Sequence, residues 1–132
     1  MKNNHLLVVD DAPENLRVIA HVLKGKDLKI SFARNGEEAL EKIDGSRPDL
    51  VLLDINMPGI DGYEVCATLK KDPATEHIPV IVVTSKDRPE DIVKGFEAGA
   101  VDYLTRPVNS AELYARINTH LELKQSQDII QQ

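Results

Sequence analysis

The stretch "LVLLDINMPGIDG", residues 50–62, decides how this chain is read. Leu50–Leu53 form an unbroken apolar run of the length expected of a strand buried on both faces. Asp54 follows, and an ionised carboxylate at the tip of a buried strand is costly unless something pairs with it. Met57-Pro58-Gly59 and Asp61-Gly62 then signal turns, and Tyr63, Cys66 and Leu69 recur at helical spacing in "GYEVCATLKK". The order is strand, carboxylate, loop, helix. Asp54 is therefore either a turn or capping residue, or a group held at a strand's end to do chemistry.

The same unit repeats in both directions. Apolar runs occur at Leu6–Val9, Lys29–Ala33, Leu50–Leu53, Val80–Val83 and Asp102–Leu104. Helical patterns separate them. The first carries Leu16, Ile19, Ala20 and Leu23, with Pro13 in its first turn and Gly25 as its C-cap. "NGEEALEKI", "GYEVCATLKK" and "EDIVKGFEAG" supply the next three, and a fifth runs from Asn109 or Ser110 towards the C-terminus. Five strands alternating with five helices predict right-handed βαβ units, hence a parallel sheet covered on both faces. The fold class is α/β, a doubly wound (βα)5 arrangement, and 132 residues suit one domain with one sizeable core.

In such folds ligands bind just beyond the carboxyl ends of the strands. The first strand delivers Asp10 and Asp11 to that edge, the third Asp54, the fourth Thr84 and Ser85, and the fifth Thr105, Arg106 and Pro107. Three carboxylates, a hydroxyl and a cation converge there. Clustered carboxylates repel and cannot all stay ionised without a cation. Oxygen donors with no His or Cys beside them suit Mg2+ or Mn2+. One carboxylate in such a group can attack phosphorus and form an aspartyl-phosphate, with the metal, the hydroxyl and the cation neutralising the phosphoryl oxygens.

Composition narrows the alternatives. Twenty-two acidic against 16 basic residues give a net charge of −6, which disfavours direct nucleic-acid binding or adhesion to an anionic membrane. Cys66 is the single cysteine, so no internal disulfide or cysteine zinc cage forms; its spacing with Tyr63 and Leu69 reads as packing. No apolar stretch approaches the roughly 20 residues that span a bilayer. "MKNNHLLVVDD" turns acidic too soon for a secretory signal, so a reducing cytoplasm is the expected compartment. His5, His21, His77 and His120 are too scattered to form a metal or catalytic site.

With these residues in place, the chain resembles the response-regulator receiver domains of two-component signalling, over residues 4–123 and in flavodoxin-like order. The resemblance implies a switch rather than an enzyme, one that self-catalyses at most its own phosphotransfer and dephosphorylation. Asp54 matches the phosphoacceptor, loaded by a histidine kinase or histidine phosphotransfer protein. Asp10 and Asp11 match the acidic pair, Asp11 binding the metal directly and Asp10 largely through water, and Asn56 would offer its backbone carbonyl to the same ion. Thr84 matches the switch hydroxyl, and Tyr103 in "DYLTRP" the aromatic that turns inward when Thr84 moves towards phosphate. A cis peptide is implied before Pro107. Output is implied at the face of the fourth helix, fifth strand and fifth helix (residues Asp91–Glu97, Tyr103 and Glu112–Arg116), towards an output domain, a partner or a second copy.

One position departs from the family: Arg106 stands where a nearly invariant lysine precedes proline. Arginine keeps the charge but is longer, planar and forked. It either grips the phosphoryl oxygens or locks onto Asp54, and the second case would leave a degenerate receiver that acts as an interaction module. A Mg2+-dependent phosphohydrolase with an Asp nucleophile is a third reading, weakened because "DIN" lacks a second carboxylate for acid–base work. Asp10-Asp11 as a mere cap of the first helix, and Thr84 or Ser85 as a cap of the fourth, are the plain alternatives. Beyond Leu123, residues 124–132 continue the helical pattern to Ile129-Ile130 with no stop signal, which predicts an extension leading to an output domain.

Overall fold

The structure, a computed structural model, describes the backbone of residues 4–131 and the side chains of residues 4–126. The elements run β1 (Asn4–Val9), α1 (Pro13–Val22), β2 (Leu28–Ala33), α2 (Gly36–Gly45), β3 (Leu50–Leu53), α3 (Gly62–Lys71), β4 (Val80–Thr84), α4 (Pro89–Glu97), β5 (Asp102–Thr105) and α5 (Ser110–Gln131). All four strand pairs are parallel, in the order β2-β1-β3-β4-β5. The chain leaves β1 for β2 on one side and then crosses to β3 on the other. The switch point lies between β1 and β3, where Asp10 and Asp54 directly follow their strands.

Burial on both faces explains why β1, β3 and β4 are apolar without alternation. Leu7, Val9, Val51, Leu53, Val80 and Val82 face α2 and α3, meeting Ala39, Ile43, Val65 and Cys66. Leu6, Val8, Leu50, Leu52, Ile81 and Val83 face α1 and α5, meeting Leu16, Ile19, Leu113 and Ile117. Each such side chain contributes about 1.5–3 kcal/mol by leaving water. Cys66 belongs to this packing, and burial pushes its thiol up to about 11, so it stays protonated and unreactive.

Caps set most helix starts. Asn35 Oδ1 accepts from Glu38 N at 2.8 Å, Asp61 Oδ1 from Glu64 N at 2.9 Å and Asn109 Oδ1 from Glu112 N at 2.9 Å. One local expectation needs correction, and one plain alternative falls. Helix α1 ends at Val22 with Leu23 buried as its C-cap; Gly25, at φ +82°, lies two residues later inside the turn into β2. Neither Thr84 nor Ser85 caps α4, which starts at Pro89 after Arg88, because the loop from β4 holds both hydroxyls too far back.

Helix α5 runs unbroken across residue 123. Leu121 is buried, Lys124 lies 3.8 Å from Asp49, and Gln125 Nε2 donates to Asn4 Oδ1 at 3.2 Å. Ile129 and Ile130 lie outside the described side chains. Among the described residues no helix is long and apolar enough to cross a membrane.

Candidate phosphoacceptor and metal site

The parallel ladder holds the site residues by their backbones. Asp10 N donates to Ala33 O at 3.0 Å, Asp54 N to Val9 O at 3.0 Å, and Arg106 N to Thr84 O at 2.8 Å. Each residue therefore sits one step beyond its strand yet is still pinned by a sheet hydrogen bond. Register then sets the neighbours: Val9 pairs with Leu53, so Asp10 and Asp54 lie side by side.

The loop after Asp54 turns back sharply. Gly59 adopts φ +78°, which favours glycine, and the Glu37 carboxylate holds the next residue by accepting from Ile60 N at 3.2 Å. At Gly62 a Cβ would lie 2.5 Å from the Asp54 carbonyl oxygen, so only glycine lets the start of α3 rest against the strand's end. The Pro-Gly and Asp-Gly pairs thus bend the chain back and seat α3 at the site.

Asp10 and Asp54 are buried while Asp11 is exposed, and carboxylate oxygens of all three lie within 4.8 Å of one another. Burial raises the Asp54 pKa. The Asn56 amide, donating to Asp54 Oδ1 at 3.2 Å, opposes that shift; Asp10 adds to it, and Arg106 and the Thr84 hydroxyl again favour the charged form. Asp10 Oδ1 accepts from Ala12 N at 2.9 Å and from Asn15 Nδ2 at 3.3 Å. These bonds orient Asp10 but do not make it the helix cap, a place taken by Ala12. The donor set, three close carboxylates with oxygen alone, fits a hard divalent cation.

Arg106 lies across two carboxylates. One terminal nitrogen is 2.5 Å from Asp10 Oδ2, and the other is 3.7 Å from Asp54 Oδ2. Its main partner is thus Asp10 rather than Asp54. Sequence proximity gave no hint of this, since 96 positions separate the pair. The Arg106-Pro107 peptide is cis.

Thr84 is fully buried at the end of β4, and its Oγ accepts a long hydrogen bond, 3.4 Å, from Lys86 N. Tyr103 lies in the next strand, partly buried, with its hydroxyl donating to Lys86 O at 3.0 Å. Burial, with Tyr63 beside it, pushes the Tyr103 phenol up, so it remains a donor. Its ring rests on α4 at Gly95, where a Cβ would come within 2.9 Å of Tyr103 Cδ2. Tyr63 joins the same cluster through a 3.1 Å bond to Asp91 O, with the Lys94 ammonium 4.4 Å from its ring.

Asn15, Glu37 and Lys86 were absent from the residues singled out in the sequence, and Gly95 entered only as part of the Asp91–Glu97 face. One signal existed: a glycine inside a helical pattern costs about 1 kcal/mol against alanine, so Gly95 called for a packing reason.

The model of the "Response regulator receiver domain" matches residues 6–118. A Vibrio cholerae protein named "Probable cyclic di-GMP phosphodiesterase" is 48% identical over 125 residues, covering 95% of this chain and 28% of that protein. "Response regulator PleD" of Caulobacter vibrioides is 41% identical over 90% of this chain and 26% of its own length. This chain thus spans about a quarter of the length of each. "Protein PilH" of Pseudomonas aeruginosa is 40% identical over 88% of this chain and 96% of its own. Among solved structures, a CheY-like receiver domain protein from Methanospirillum hungatei superposes with a TM-score of 0.88 at 27% identity, covering 96% of this chain and 99% of that one. The flavodoxin-like topology, the aspartates at the switch point and a family match over most of the length lead to one conclusion: the chain belongs to the receiver-domain family of two-component response regulators, a signalling domain.

Proposed function

We propose that this receiver works as a phosphorylation switch with Asp54 as the acceptor. The observation that carries the reading is the placement of Asp54, buried at a strand tip between Asp10 and Arg106 and bonded by the Asn56 amide. An Asp54 carboxylate oxygen attacks the phosphorus of a phosphohistidine on a histidine kinase or histidine phosphotransfer protein. The new O–P bond forms as the P–N bond breaks, and the electron pair stays on the imidazole nitrogen, which takes a proton. Asp10, Asp11, Asp54 and the Asn56 carbonyl would hold Mg2+ or Mn2+. When bound, that ion offsets negative charge on the reacting oxygens. Arg106 and the Thr84 hydroxyl serve the remaining phosphoryl oxygens.

Thr84 then draws towards the phosphoryl group, which favours the inward position of Tyr103 already seen here, its ring on Gly95 and its hydroxyl on Lys86 O, and so biases an equilibrium that already exists. Helix α4, strand β5 and helix α5 present the result to an output domain, a partner or a second copy. The C-terminal extension, residues 124–132 of the sequence, leads to an output domain, and the Vibrio cholerae relative supports one that acts on cyclic di-GMP. A second reading has support in the contact between Arg106 and Asp10: a guanidinium held there favours a receiver that no longer takes phosphate. Incubation with acetyl phosphate and Mg2+, followed by intact mass, separates the two. A gain of one phosphoryl group, absent in Asp54→Asn, is the expected result; no gain in the wild type would establish the degenerate receiver.

A further inference from the structure

Strand β2 is the outer strand on the side of the sheet opposite β5, and it pairs with β1 alone. Ala33 O accepts from Asp10 N, so Ala33 faces β1. Backbone groups alternate along a strand, so Leu28, Ile30 and Phe32 point their N–H and C=O groups away from the sheet. Two of these groups have partners. Leu28 N donates to Lys26 O at 2.8 Å, and the Lys42 ammonium donates to Phe32 O. Both groups of Ile30 and the N–H of Phe32 open outward, a short row spaced to pair with another strand.

A hollow lies on each side of this row. One of about 360 Å³ is lined by His5, Lys29, Ser31 and Lys42. The other, about 550 Å³, is lined by Arg17, Phe32, Arg34 and Lys42. Lys29, Lys42, Arg17 and Arg34 are all exposed. The one carboxylate lining either hollow, Glu38, is already bonded to Arg34 N at 2.8 Å. On a chain of net charge −6, this edge is a cationic exception.

We propose that the β2 edge docks an extended acidic segment of a partner protein, added as a sixth strand through Ile30 and Phe32, with carboxylates meeting the cations in the two hollows. Charge selects the occupant. A second copy pairing edge to edge would set four cations against four, and lysines along an edge discourage that pairing. A nucleic acid would be repelled by the net charge, and it has no strand groups to match Ile30 and Phe32.

The test is an amide-resolved NMR titration of the full chain with a short capped peptide of alternating glutamate and valine. Its lysine–valine counterpart and oligothymidylate run alongside. Shifts centred on Ile30 and Phe32, with slowed exchange of those two amides, are expected for the acidic peptide alone. Lys42→Glu combined with Arg34→Glu should weaken binding about tenfold or more, equivalent to about 1.4 kcal/mol, while the remaining amide spectrum shows the fold intact. No shift at millimolar peptide would mean the cations only keep the edge solitary. Shifts centred elsewhere, undiminished binding by the charge-reversed variant, equal binding of the lysine peptide, or tighter binding of oligothymidylate would each overturn the proposal.

Discussion

The two ends of the sheet follow opposite electrostatic plans. At the amino end Asp49 is matched: it accepts from His5 N at 2.7 Å and lies 3.8 Å from Lys124, while Gln125 meets Asn4 beside it. At the carboxyl end three carboxylates cluster, two of them buried, and one guanidinium reaches Asp10 and Asp54. The amino end ties α5 to the sheet. The carboxyl end holds charge that the protein alone does not neutralise, which is the condition for drawing in a cation or a phosphoryl group.

Asp54→Asn offers the largest contrast. It removes the phosphoacceptor and should abolish acyl-phosphate formation, read by intact mass. It should also make the metal-free fold more stable at neutral pH. The sign follows from the raised pKa of Asp54. The folded state holds the proton more tightly than the unfolded state, so this contribution is complete below the unfolded value of about 3.9. It is lost as pH rises through the higher folded value. Urea unfolding across that range should show wild-type stability gaining less with pH than the variant's. A variant less stable than wild type at neutral pH would break the contrast between the ends.

A smaller effect is expected from Arg106→Ala. Without metal it leaves Asp10 buried and unpaired, at a cost of about 2–3 kcal/mol, below the range for fully buried pairs because the guanidinium is partly exposed. Added Mg2+ should restore much of that loss, since binding to the folded state adds about 2.7 kcal/mol at a hundred times Kd. Thermal melts with and without Mg2+ measure both quantities. A loss that Mg2+ does not touch would place the metal away from Asp10.

Asp49→Asn sharpens the comparison from the quiet end. The ion pair with Lys124 is partly exposed, so its loss should cost no more than about 1 kcal/mol, fading in high salt. Phosphorylation of Asp54 should be unchanged. Denaturant midpoints in low and high salt, beside the same mass assay, provide the check.

The legibility of the chain follows the range of the forces involved. Leu50–Leu53 was read as a strand and is one to the residue, because four consecutive apolar residues bounded by Asp and a turn leave few alternatives. Asp10, Asp11 and Asp54 could be gathered from sequence because strand order and the switch point dictate which tips become neighbours. Gly25 misled because buried Leu23 lets α1 end before the glycine is reached. The plain alternative of Ser85 as a cap falls because α4 begins at Pro89, after Arg88.

What the amino-acid order determined by itself was therefore the alternation of strands and helices, the charged edge and the sharp loop after Asp54. These rest on local periodicity, turn chemistry and burial, which neighbouring residues already encode. What only the tertiary structure decided was partnership at a distance. Arg106 reaches Asp10 before Asp54, Tyr103 lies over Gly95 with its hydroxyl on Lys86 O, and Lys42 bonds the outer edge of β2. The physical reason is that a side chain's partner depends on register and packing to within an ångström, and contacts between remote segments meet that tolerance only once the sheet and its helices have closed.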